Sequence, residues 1–120
     1  MNGKASRKQR EQQGHRAEWW AAWWLRCCGW RILARRVKTP RGEIDLIARR
    51  WRTLAFIEVK WRGRAEDLAV AVDAYRLRRV AAAAEAVAHR YVRADDSIRV
   101  DVLLLAPRRF PRHIVNAWQP

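Results

Sequence analysis

The 120-residue sequence predicts an α/β protein, a mixed β-sheet flanked by α-helices, and three observations predict it. Apolar residues recur with a helical period near residue 17 and again near residue 77. Between them lie three strand-like runs, joined too tightly for crossover connections, which makes their pairing antiparallel. A fourth run, RVDVLLLA at 99–106, follows the second helix and is too continuously apolar for an exposed strand, so it belongs inside the sheet.

Residues 1–13 (MNGKASRKQREQQ) are basic, polar and aperiodic, and are expected to form a disordered tail, leaving 14–120 as a single domain. Ala17, Trp20, Ala21, Trp24, Leu25 and Cys28 form the stripe of an amphipathic helix that Gly29 stops. Trp19 and Trp23 are expected to widen that stripe by packing; exposed beside a basic surface, they would instead stack on an unpaired base. Cys27 and Cys28, adjacent and pointing about 100° apart, suit neither a staple nor a metal site and are expected to fill the core of a protein in a reducing cytoplasm.

Trp30 to Val37 is the first strand, closed by the turn Thr39-Pro40-Arg41-Gly42. Strands over 43–50 and 53–60 follow, then a polar loop at 63–67. Asp73 is a plausible cap for a helix carrying Leu77, Val80, Ala81, Ala84, Ala88 and Tyr91 on one side. The ending IVNAW is expected to be a short last strand or a packed extended tail. Asp95 and Asp96 fit a turn, Asp101 either faces the site or, as expected, pairs with an arginine on its strand, and His15, His89 and His113 lack ligand spacing and suit surface or capping roles.

Half of the residues are apolar and eight are Trp, which excludes a globally disordered chain. Twenty-six basic residues against twelve acidic ones give a net charge of +14, a field suited to a polyanion. The first 16 residues lack a signal peptide's apolar centre, and Glu18, Arg26 and Arg31 interrupt the Ala/Trp-rich segment. A cytoplasmic nucleic-acid partner is therefore expected, not a membrane. Without a recognition helix or zinc module, the basic surface reads charge and shape, which favours branched or single-stranded DNA. No glycine-rich phosphate loop and no Ser or Cys nucleophile arrangement is present.

The most informative stretch is GEIDLIARRWRTLAFIEVK, from Gly42 to Lys60, where charges sit inside strands. A buried charge costs several kcal/mol unless it is paired. Alternation puts Glu43 and Asp45 on one face, and Ile44, Leu46 and Ala48 on the other. A two-residue Trp51-Arg52 loop would pair Arg50 with Thr53, Asp45 with Glu58 and Glu43 with Lys60. Two facing carboxylates repel unless a shared proton, Lys60 or a divalent cation relieves them. Glu43 with Lys60 can equally be an ordinary salt bridge. A metal-dependent phosphodiesterase uses these residue types: Asp45 and Glu58, with the Val59 carbonyl, as hard-oxygen ligands for Mg²⁺ or Mn²⁺, and Lys60 to orient water or steady phosphate charge.

GEIDLIA followed by FIEVKWR, with GWRIL, VDVLLLAP and HIVNAW, resembles the UPF0102, or YraN-like, family of the restriction-endonuclease-like superfamily, marked by Asp and then Glu-x-Lys. The resemblance runs from roughly Gly14 to Trp118. It implies a restriction-endonuclease-like α/β core, nuclease ancestry and a divalent-metal site at Asp45, Glu58 and Lys60. Glu18 matches an acidic position on the family's first helix and lies at the margin of the buried stripe, where it either completes the metal's outer shell or pairs with an arginine. Ala17 stands where the family usually has Gly, Trp61 where Thr is common, and Leu77 where Gln is frequent, leaving Arg76 as a substitute polar group. Arg41, Arg62, Arg64, Arg76 and Arg79 are the candidate nucleic-acid contacts. The rival readings are an inactive binding module of the same fold and an assembly factor that holds a protein through its Trp-rich helix.

Overall fold

The computed structural model describes residues 16–61 and 74–118. The expected tail, the 63–67 loop, Asp73 and His15 lie outside the described residues. Helix α1 covers 16–27. It is followed by β1 (Arg31–Thr39), β2 (Gly42–Arg50) and β3 (Thr53–Trp61), then α2 (Ala74–Val87), continued by a 3-10 turn (Ala88–Arg90). The chain ends with β4 (Ser97–Leu105) and β5 (Arg112–Ile114).

The strands lie in sequence order in one sheet. β1, β2 and β3 pair antiparallel, β3 and β4 parallel, and β4 and β5 antiparallel, giving the mixed sheet that the link lengths require. The last strand is shorter and earlier than the IVNAW run. Beyond it the Ala117 amide donates to the Val100 carbonyl at 2.7 Å, so the ending is both a strand and a packed tail.

Among the described residues each sheet face is covered by one helix. Leu77, Val80, Ala83, Ala84 and Val87 of α2 pack on Ile44, Ile47, Leu54, Phe56, Val100 and Val102. On the other face Ala17, Ala21, Ala22 and Leu25 of α1, with Trp30, pack on Leu46, Ala48, Ala55, Ile57 and Leu103. Each fully buried Leu, Ile or Phe contributes about 1.5–3 kcal/mol, and these two layers supply the stability that lets one end of the sheet hold charges.

Two expectations change here. The buried face of α1 is turned by roughly 60° from the expected stripe, toward Glu18. Alanines take the contact positions because their small side chains let the helix settle close to the sheet. Trp19, Trp20 and Trp23 are left outside, and Cys27 and Cys28 are exposed instead of filling the core. The alternation along β2 also breaks. Ile44 packs on the α2 side whereas Leu46 and Ala48 pack on the α1 side, so the three do not share a face. The break falls at Asp45, next to the point where Arg36 of β1 adopts φ +50°, between the pairs Arg35↔Leu46 and Val37↔Ile44.

Candidate active site

The Trp51-Arg52 turn forms, with Trp51 at φ +55°, and the ladder runs from Arg50↔Thr53 to Leu46↔Ile57 in the expected register. Backbone pairing of β2 with β3 stops there. In place of an Asp45↔Glu58 pair, the Asp45 carboxylate reaches across and accepts the Val59 amide N–H at 2.7 Å. Glu43 does not face Lys60 either. The Lys60 ammonium lies 3.8 Å from Glu58 Oε1 on the same strand, because residues two apart share a face. The physical reason is the break at Asp45: a side chain that caps the neighbouring strand opens the ribbon just where the charges begin.

The opening is an accessible cleft of about 510 Å³ lined by Glu43, Asp45, Glu58, Tyr75, Arg76, Arg79 and Val80. Arg76 comes from the first turn of α2 and puts its Nε 3.3 Å from Glu58 Oε1. Leu77, the next residue, is buried in the core, so α2 shows the cleft its arginines and the sheet its apolar side. Glu58 and Lys60 are only 4% and 5% exposed. Lys60 and Arg76 both engage Glu58 through Oε1; Glu58 Oε2 is buried and has no hydrogen-bond partner among the described residues.

Burial pushes the Asp45 carboxyl up to about 6, aided by the charges of Glu58 and Glu43 and opposed by the Val59 N–H and Arg76. Glu18 is pushed up to about 7, first by burial and then by Asp45, against the pull of Arg36 and Arg35. Arg36 Nε stands 3.6 Å from Glu18 Oε2. The α1 acid is thus electrostatically joined to Asp45 while its direct partner is an arginine, although it does not line the cleft. Arg36 is a residue that sequence reasoning missed; its left-handed backbone has no composition signal.

Asp45 and Glu58 are hard oxygen donors facing one cleft, and Glu58 Oε2 is a buried acceptor with no hydrogen-bond partner among the described residues. Among the described residues no three of His, Cys, Asp and Glu are grouped to hold an ion. Carboxylate oxygens of this kind are the hard donors that divalent cations such as Mg²⁺ take, one or two of them sufficing.

The remaining expected residues sort as follows. Arg79 lines the cleft, and Arg41 is exposed and pairs with Glu85 at 3.4 Å. Arg62 and Arg64 lie outside the described residues. His89 is exposed, but His113 is not an isolated surface residue: its Nε2 lies 2.8 Å from Asp101 Oδ2. Asp101 is fully buried; burial acts to raise its pKa, but His113, Arg99 and the Asn116 amide together hold it below the usual carboxylate range. Asp101 thereby ties β5 and the chain end to β4, away from the cleft. The spacing of His113 from VDVLLL gave no hint of this, since β5 returns beside β4 only in three dimensions.

A family model described as "Uncharacterised protein family UPF0102" matches residues 17–105. A UPF0102 protein of Sphingopyxis alaskensis is 66% identical over 110 residues, covering 92% of this chain and 95% of the relative. One of Erythrobacter litoralis is 61% identical over 110 residues, with the same 92% and 95% coverage. Among solved structures, Archaeoglobus fulgidus Hjc, described as a Holliday junction resolvase from an archaeal hyperthermophile, superposes with a TM-score of 0.58 and 21% identity, covering 83% of this chain and 73% of that chain. At that identity the likeness is one of fold.

Proposed function

The chain belongs to the UPF0102 family, and on that premise we propose that it is a nucleic-acid-binding, metal-dependent endonuclease that hydrolyses DNA phosphodiester bonds in the cytoplasm, with residues 14–120 acting as one domain. The observation that carries the reading is the convergence of Asp45, Glu58 and Arg76 in one cleft, with no hydrogen-bond partner for Glu58 Oε2 among the described residues. The fold shared with a Holliday junction resolvase favours branched DNA over a short defined sequence, and the +14 charge favours any polyanion.

Asp45 and Glu58, with the Val59 carbonyl, would hold Mg²⁺ or Mn²⁺. A bound divalent ion would acidify water and offset charge on the phosphate oxygens. The chain's own groups do the rest. Arg76 and Arg79 on the cleft wall draw in and orient the phosphate, and Lys60, beside Glu58, orients the attacking water or steadies charge on the phosphate. The Val59 N–H fixes the direction of the Asp45 carboxylate, a constraint that a loop acid would lack.

The test is cleavage of supercoiled and four-way-junction DNA with Mg²⁺ by the native protein, Asp45→Ala and Lys60→Ala. Loss of products in both variants, with DNA binding retained, supports the reading. Salt-sensitive binding by the native protein with no metal-dependent product would reassign it as a binding module of the same fold.

A further inference from the structure

We propose that the outward face of α1 is a stacking platform for the unpaired bases of a single nucleic-acid strand. The inference rests on the reading of the cleft as a nucleic-acid site and extends it to a second surface. Trp19, Trp20 and Trp23 are 53%, 54% and 50% exposed, on a helix that packs Ala17, Ala21, Ala22 and Leu25 against the sheet. The three rings contact one another edge to face, Trp19 to Trp20 at 5.1 Å and Trp20 to Trp23 at 6.1 Å. They form one apolar patch of held aromatic rings instead of three scattered side chains.

Charge decides the occupant. Arg16 and Arg26, both exposed, share the outward side of α1 with the indoles, and Glu18, the one acid in 16–27, is buried on the sheet side beside Arg36. A second copy of the chain would bring these arginines against their own kind in a protein of net charge +14. A single strand offers what the face lacks: flat apolar bases for the indoles and phosphates for the guanidinium groups. A duplex hides its base faces by stacking them on each other.

Fluorescence anisotropy with the full chain in EDTA, which prevents cutting, tests the proposal. The probes are labelled dT and U oligomers of about 20 nucleotides, longer than a typical single-strand site, and a mixed-sequence duplex. Trp20→Ala with Trp23→Ala should lower affinity for the single strands about tenfold or more and leave duplex affinity within about twofold. The double Phe variant, which keeps ring faces, should retain most single-strand affinity, and whichever polymer binds the native protein more tightly identifies the source. Unchanged single-strand affinity, equal loss on strand and duplex, or loss of self-association as the sole effect overturns the platform while leaving the cleft reading in place. A native protein that binds none of the probes overturns both.

Discussion

The Asp45 carboxylate on β2 accepts the backbone N–H of Val59 on β3 at 2.7 Å, where a ladder hydrogen bond would otherwise have formed. One acid thus has two roles, a structural bond across the opened ribbon and a donor atom facing the cleft. The roles separate in Asp45→Asn, whose amide oxygen can still accept from Val59 but carries no charge. This variant should melt within a few degrees of the native protein yet lose cleavage by about 10² or more. Asp45→Ala should lose cleavage and also about 1–3 kcal/mol of stability, because it strands the Val59 N–H. Thermal melts read beside plasmid cleavage check both statements; equal stability of the two variants would refute the structural role.

Glu18 and Asp45 have pKa values raised to about 7 and about 6, so the folded protein holds protons that the unfolded chain, titrating at 4.5 and 3.8, has released. Stability of the metal-free protein therefore falls as pH rises from about 4 to about 7 on account of these two groups. Glu18→Gln removes one of these two liabilities. In EDTA its melting temperature should exceed the native value by a few degrees at pH 7.5, and the gap should close at pH 4.5, as a paired pH series of melts will show.

The strand limits and the register of β2 with β3 were legible because period-two spacing and a two-residue turn leave few alternatives. The acids were legible because a charge inside an apolar strand demands an explanation. The rotation of α1 was not: a stripe that mixes Ala and Trp has two nearly equivalent centres, and sheet proximity chose the small residues. Nor was the face change at Asp45, since alternation arguments assume an unbroken strand, and the left-handed Arg36 beside it carries no mark in the sequence. Both hidden features bear on the site. One brings Glu18 inward, and the other frees Asp45 to cap Val59.

Gly42 sets the distance between the cleft's two walls. A Cβ there would meet the Arg79 carbonyl oxygen at 2.5 Å and its carbon at 3.1 Å, so α2 backbone rests directly on the start of β2. Gly42→Ala should push α2 outward, destabilise the protein by about 1–3 kcal/mol, and weaken DNA binding in the cleft by separating Arg76 from Glu58. Urea unfolding and anisotropy are the measurements. Adding Arg79→Ala should not rescue stability, because the obstructing atoms are backbone; rescue would show that the side chain was the obstacle.

At the end of the sheet remote from the cleft, Arg49 donates to both oxygens of Asp96 at 2.7 Å and to the Tyr91 carbonyl at 2.8 Å. The Arg93 amide adds a bond to Asp96 at 2.6 Å. The Arg49 hydrogen bonds, then that of Arg93, hold the Asp96 carboxyl at about 2, below the 3.8 of an unperturbed aspartate. A depressed acid stabilises the fold above its unfolded pKa and ceases to do so as pH falls through its folded one, so this contribution is complete above about pH 4 and disappears toward pH 2. Asp96→Asn should lower the melting temperature at pH 7, since it leaves the Arg49 charge buried without its counterion, and should flatten the acid limb between pH 4 and 2. Melts across that range distinguish this from a general acid effect, because a native curve parallel to that of the variant would mean that the pair does not set the acid sensitivity of the fold.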